Sequence, residues 1–169
     1  MIAAHSEFYF SKDSVIQQLL HQLKYKGNQD IGFYLVELMG KNLLTSHRFN
    51  NIDALVPLPL YPDIERKRGY NQAAIICDGM SAVMNVRVIK NIVIRQRYTD
   101  TQTKKHRIER SENVAGSFII RDQEKLKGKN LLLVDDVITT GATLEVCGSM
   151  IAAIDTVKLS IATLAHEPK

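Results

Sequence analysis

Tryptophan is missing from the chain, and cysteine occurs only twice, at Cys77 and Cys147. Two cysteines so far apart make no disulfide framework, and without a CxxC pair there is no cysteine zinc motif. No apolar run approaches the ~18 residues that a membrane helix needs. The start, MIAAHSEFYFSKDS, lacks the basic-then-apolar order of a secretory signal. The expected compartment is therefore the cytoplasm, with no membrane partner. The GxxxxGK[ST] nucleotide loop and the GxGxxG fingerprint are also absent.

What is present suits a single α/β domain. Hydrophobic residues make up 45% of the 169 and charged residues 24%, which removes disordered and fibrous classes. A chain of this length closes one core, so 1–169 is read as one domain, with 1–50 as an N-terminal helical or hood layer and 51–169 as the core. The net charge is +4, compatible with nucleic acid or with small phosphorylated ligands. Bases gather in Glu65 to Tyr70 (ERKRGY) and in Arg95 to Arg110, and both stretches read as loops.

After an aromatic stretch, Phe8 to Phe10, Asp13 or Ser14 can cap a helix carrying Val15, Ile16, Leu19, Leu20 and Leu23 at helical spacing, ended by Gly27. A second amphipathic helix is expected from Asp30 to about Leu44, with Ile31, Leu35, Leu38 and Met39 on its buried side. From Ile52 the pattern changes to a short apolar strand that stops at Pro57, followed by a polar basic loop and a helix over 71–84. Asn91 to Arg95 reads as a second strand, Gln96 to Asn113 as a loop without periodicity, and Val114 to Ile120 as an edge strand. The strongest strand is Leu131 to Val134, then a helix from about Thr143 to Ile154 and a last strand from Val157 to Leu164. Alternating helices and near-continuous apolar strands predict an α/β fold with an open parallel sheet.

In parallel α/β sheets ligands bind beyond the carboxyl ends of strands, which is where Asp135 to Thr143 falls. Thr139, Thr140, Gly141, Ala142 and Thr143 place hydroxyls and backbone N–H groups at a helix start, where unpaired donors and the helix dipole favour a phosphate. Asp135 and Asp136 stand just before that cup, and two carboxylates beside an anion site would repel the anion unless they bind something else. Sugar hydroxyls meet that need, so one segment reads a ribose 5-phosphate. Each residue alone has an ordinary reading as a turn cap or loop residue, but the combination does not. A receiver domain also ends a strand in an acid pair. Here only one helix and one strand follow the acids, which leaves no room for its phosphoacceptor aspartate.

The segment LLLVDDVITTGAT, Leu131 to Thr143, resembles the signature of type I phosphoribosyltransferases, an acid pair followed by TTGxT. VPLPLYPDIERKRGYNQA (Val56 to Ala73), QTKKHRIERSENVAGSF (Gln102 to Phe118) and LKYKGN (Leu23 to Asn28) are similar to the competence protein F family. The resemblance spans nearly the whole chain. It implies a type I phosphoribosyltransferase fold with a flexible hood loop, and a site for phosphoribosyl pyrophosphate. Asp135 and Asp136 would hold the ribose, and Thr139 to Thr143 the 5-phosphate. The loop after Pro57, with Pro59, Leu60, Arg66, Lys67 and Arg68, would hold the pyrophosphate. Residues Arg97 to Asn113 would close over the substrate, with Arg107 and Arg110 as closing cations, Arg107 joining the two acids as catalytic. Lys104, Lys105 and His106 of that stretch also read as ordinary solvated charges.

The resemblance further implies Mg2+ held mainly through substrate oxygens, with no metal ligand assigned to the protein. Many members carry a cysteine zinc ribbon ahead of this part, and the present sequence has no CxxC pair. It also has LAH at Leu164 to His166 where the family tends toward LAR, and His166 is expected at the surface. Two functions are open. One is phosphoribosyl transfer to an unidentified acceptor with release of pyrophosphate, a glycosyltransferase reaction. An amidophosphoribosyltransferase label would need a glutaminase domain, which does not fit this length. The other is a non-catalytic phosphoribosyl-ligand sensor in competence or DNA uptake, with a protein of the uptake machinery, single-stranded DNA or a second copy of the chain as partner. Single-stranded DNA is the least supported, because only Tyr98 is aromatic within Arg95 to Arg110.

Overall fold

The apolar run expected as the strongest strand is buried from end to end, with Leu131, Leu132, Leu133 and Val134 wholly inaccessible. A strand with both faces covered belongs in the middle of a parallel sheet, and that is its place in the computed structural model, which describes residues 1–11, 14–25, 29–96 and 117–168. The central strand is Asn130–Ile138. Numbered in chain order, the sheet contains β1 (Ala4–Tyr9), β2 (Ala54–Pro57), β3 (Arg87–Val88), β6 (Asn130–Ile138) and β7 (Lys158–His166), in the spatial order β1-β7-β6-β2-β3. Every neighbouring pair runs parallel. A separate antiparallel ribbon joins β4 (Val93–Arg95) to β5 (Phe118–Ile120).

Helices cover both faces. On one lie α1 (Val15–Tyr25), α2 (Gln29–Thr45) and α4 (Gln72–Met84), whose Leu20, Leu35, Met39, Leu43, Ile76 and Met80 pack with Leu55, Leu132 and Leu164 of the sheet. On the other, Leu144, Cys147 and Ile151 of α5 (Ala142–Ala152) meet Val56, Leu131, Leu133 and Leu159, with Val93 and Phe118 of the ribbon beside them. The chain leaves β2 toward the α4 face and leaves the adjacent β6 toward the α5 face. The strand order reverses between these two neighbours, so a crevice opens at their carboxyl ends.

Several expectations hold, and others are corrected. Ser14 caps α1, its hydroxyl accepting from the Gln17 N–H at 3.1 Å; Asp13, Gly27 and the side chains of Leu23 and Ile31 lie outside the described residues. On α2, Leu35 and Met39 are buried while Leu38 is half-buried. Residues 91–95 are not a strand of the main sheet. Arg87–Val88 takes that place, and β4 turns away to pair with β5. Residues 114–116 and the closing loop, with Lys104, Lys105, His106, Arg107 and Arg110, lie outside the described residues. The N-terminal stretch contributes a strand, β1, to the edge of the sheet as well as two helices. The basic stretch after Pro57 is not all loop, since α3 (Pro62–Arg68) forms there. Pro62 opens it, and Gly69, at φ 87°, closes it with its N–H donated to the Glu65 carbonyl, the pairing of proline at the start and glycine past the end that short helices favour.

Candidate functional site

The acid pair does not sit in a loop after the central strand. It is part of β6, which continues to Ile138 because β7 is equally long and pairs with it as far as His166. Asp135 lies beside Thr163 in that register. The Asp135 Oδ1 accepts from the Asp136 N–H and the Asp136 Oδ1 from the Val137 N–H, each at 2.8 Å. These bonds hold both carboxylates against their own backbone at the strand's end, where they are half-buried.

The phosphate cup follows at once. Thr139 and Thr140 are exposed, and Gly141 is the N-cap of α5 with φ 79° and ψ −9°, a left-handed conformation that residues bearing a Cβ rarely adopt. A Cβ there would find its nearest neighbour, the Ile138 side chain, at 4.0 Å, so backbone conformation and not space calls for glycine. The Thr140 hydroxyl accepts from the Ala142 N–H at 3.4 Å. The first turn of α5 presents backbone donors with no intrahelical partner, aided by the helix dipole.

Across the crevice, β2 ends at Pro57 opposite Val134, and the Leu58 N–H donates to the Val134 carbonyl at 2.8 Å. This bond brings the loop of Leu58, Pro59 and Leu60 beside the acid pair. Asn71 fixes it from behind. Its Nδ2 donates to the Leu58 carbonyl at 3.0 Å while its Oδ1 accepts from the Ala74 N–H at 3.4 Å, capping α4. The structure therefore gathers Asp135, Asp136, Thr139 to Thr143, Pro59 and Leu60 around the ends of β2 and β6.

Arg66, Lys67 and Arg68 occupy the last turn of α3. Arg66 is 80% exposed and 3.9 Å from Asp63. Cations at a helix C-terminus are favoured by the dipole alone. Two cavities flank the crevice: one of about 580 Å³ borders Pro59, Leu60 and Asn71, and one of about 650 Å³ borders Thr139, Thr140, His5, Ser6 and His166. His166, expected at the surface, is half-buried, its ring 4.7 Å from that of Tyr9. Among the described residues no group of three or more His, Cys, Asp or Glu could hold a metal, and no helix is long and apolar enough to cross a membrane.

Sequence reasoning missed the Asn71 clip and a second pairing. Arg95, at the end of β4, lays its guanidinium carbon 4.0 Å from the ring centre of Tyr61 and 5.3 Å from that of Phe118. Its charge is also felt at the thiol of Cys147 on α5. The buried Cys147 thiol is pushed up to about 12, first by burial and then by the Asp135 carboxylate, with Arg95 pulling the other way. The available signal was an arginine ending an apolar strand, which does not reveal its partner in a distant segment.

Known proteins bear on this arrangement. The phosphoribosyl transferase domain family model matches residues 63–169. Competence protein F of Haemophilus influenzae is 29% identical over 133 residues, covering 78% of this chain and 58% of that protein. The DNA utilization protein YhgH of Escherichia coli O6:H1 is 30% identical over 131 residues, covering 76% and 57%. The chain thus spans little more than half the length of these curated relatives. Among solved structures, an adenine phosphoribosyltransferase superposes with a TM-score of 0.51 at 12% identity, covering 87% of this chain and 74% of that one, a likeness of fold. The open parallel sheet, the β6–α5 signature and these relatives agree: the chain belongs to the phosphoribosyl transferase domain family, with the type I fold, among the relatives of competence protein F.

Proposed function

We propose that this protein binds phosphoribosyl pyrophosphate with magnesium at the ends of β2 and β6 and transfers the phosphoribosyl group to an acceptor. The observation that carries the reading is the joint placement of two strand-end carboxylates and a glycine-capped helix start at the point where strand order reverses. Asp135 and Asp136 would accept hydrogen bonds from the ribose 2- and 3-hydroxyls, and Thr139 to Thr143 would hold the 5-phosphate. The loop from Leu58 to Leu60 lies where the pyrophosphate would leave. In the reaction a nucleophile bonds to carbon 1 as the bond to pyrophosphate breaks, its electron pair departing with that group.

A magnesium ion carried by pyrophosphate and ribose oxygens would neutralise the leaving group's charge. The hard carboxylate oxygens of Asp135 and Asp136 suit such a hydrated ion. Arg107 is proposed to contribute when the segment that carries it closes over the substrate. A cytoplasmic location belongs to the same proposal, supported by two free, buried thiols in place of a disulfide.

The relatives named for competence and DNA utilization favour a second reading, in which the site senses a phosphoribosyl ligand and a partner protein of DNA uptake acts on the result. Titration with phosphoribosyl pyrophosphate and magnesium, followed by a pyrophosphate-release assay against bases and amines, separates the two. Binding with acceptor-dependent release is expected for the transferase. Binding without release under any acceptor would replace it with the sensor, and absence of binding would refute both.

A further inference from the structure

We infer that Thr163 of β7 is the positioning residue for Asp135: its buried hydroxyl, backed by that of Ser6 on β1, donates to the carboxylate when the ribose is bound and holds it in the orientation that receives the sugar hydroxyl. The inference rests on the phosphoribosyl reading of the site and concerns two residues outside the signature segment.

The register of the sheet sets three side chains in one row, Asp135 of β6 beside Thr163 of β7 and Thr163 beside Ser6 of β1. Neighbouring strands lie about 4.8 Å apart and turn their partnered side chains to the same face. Here that face is the one covered by α5. Leu133 and Ile161, two residues earlier on β6 and β7, pack against that helix, and the Asp135 charge is felt at its Cys147. The preceding row, of Leu133, Ile161 and Ala4, is apolar throughout. The change to a carboxylate and two hydroxyls therefore comes at the level of the acid pair.

Thr163 is wholly inaccessible to solvent. Neither its Oγ1 nor the buried Ser6 Oγ has a hydrogen-bond partner among the described residues. Such a hydroxyl is a net cost that a valine of the same shape would not carry, and valine suits a strand as well as threonine does. Packing and strand propensity thus leave the hydroxyl unexplained, and the acid beside it supplies the reason. Rotation about χ1 turns the Thr163 O–H toward Asp135, and the Ser6 O–H can then donate to the Thr163 oxygen, so both hydroxyls are satisfied in a chain that ends on the carboxylate. The Asp135 Oδ1 already accepts from the Asp136 N–H, which ties one oxygen to the backbone. A second donor from the side fixes the plane of the carboxylate as the sugar hydroxyl turns it toward the crevice.

The test is calorimetric titration of ribose 5-phosphate with magnesium on the full chain, alongside urea denaturation of the same proteins. Thr163→Val should weaken binding about tenfold, the scale of one charge-assisted bond. Its urea midpoint should stay level or rise, because the hydroxyl it removes has no partner before the sugar binds. Thr163→Ser should do the reverse, binding within about twofold of the unaltered protein yet unfolding at lower urea through loss of a buried methyl. In an Asp135→Asn background, Thr163→Val should weaken binding by less than about twofold more, since residues that act through one group do not add. Unchanged affinity in Thr163→Val, a loss of stability by that variant, or full additivity with Asp135→Asn would overturn the role of Thr163 and leave the ribose site standing. Failure of the unaltered protein to bind ribose 5-phosphate would instead remove the ribose reading, and this assignment with it.

Discussion

Asn71 joins the pyrophosphate-side loop to helix α4, and replacing it separates two contributions that one alanine would merge. Its Oδ1 caps the helix through a long bond of 3.4 Å to the Ala74 N–H, and its Nδ2 holds the Leu58 carbonyl at 3.0 Å. Asn71→Ala removes both. The long capping bond argues for the lower end of the usual range, about 0.5–1 kcal/mol. The carbonyl it releases belongs to Leu58, which is only 5% exposed, and a buried acceptor left without a partner costs about 1–3 kcal/mol. The expected total is roughly 2 kcal/mol, most of it from the loop. Asn71→Asp keeps the capping oxygen, and its charge suits a helix N-terminus, a gain of about 0.3–1 kcal/mol. It cannot donate to Leu58, however, and sets a carboxylate against that carbonyl. The aspartate variant should therefore lose more than half of what the alanine variant loses. Urea denaturation followed by circular dichroism, with equal m-values as the check on comparability, reads both differences. An aspartate variant as stable as the unaltered protein would show that capping alone matters and that Leu58 is not held by Asn71.

Gly141→Ala places a Cβ where there is room but at a φ of 79°, so stability should fall by about 1–2 kcal/mol from backbone strain, with ribose 5-phosphate affinity falling as well; a neutral result in urea would refute the strained turn. The thiols give a pH dependence of definite sign. Cys147 titrates near 12 in the fold against an ordinary 9.0, and Cys77 shifts in the same direction through burial. Below pH 9 both states keep the protons, and between 9 and 12 only the unfolded state releases them, so stability should fall with rising pH in that window. Cys147→Ala should flatten the fall in urea midpoint, and an unchanged slope would contradict the assignment. In the native protein at pH 8 neither thiol should react with a disulfide reagent before unfolding.

The sequence was most informative where burial is one-sided or complete. The run from Leu131 to Val134 has no polar interruption and became the central strand, and the stripe of Ala73, Ile76, Cys77 and Met80 behind Asn71 became α4. What escaped has local physical reasons. β1 carries His5, Ser6 and Glu7 on an edge, and its partner β7 lies at the other end of the chain, so no local pattern announces it. Helix α3 buries no residue, which leaves no apolar period to read. Only Pro62 and Gly69 marked its ends. Residues 91–95 have the apolar character of a core strand, but apolar character does not choose between a parallel sheet and a ribbon. The acid pair hid the last turns of β6 because charge reads as loop, although β7 supplies a hydrogen-bonding partner up to His166. At the candidate site the local parts, acids, threonines and glycine, were legible in one segment. The non-local parts, the Asn71 clip and the Arg95–Tyr61 stack, depend on contacts between separate elements.

The central claim is that the strand-end acids read a ribose whose 5-phosphate rests on the start of α5. Calorimetric titration of phosphoribosyl pyrophosphate with magnesium into the unaltered protein and into Asp136→Asn tests it most directly. The unaltered protein should bind, and the variant should bind more weakly by about 1–3 kcal/mol, the worth of charge-assisted hydrogen bonds to the sugar. Equal affinity in the two proteins would contradict the role given to the acid pair.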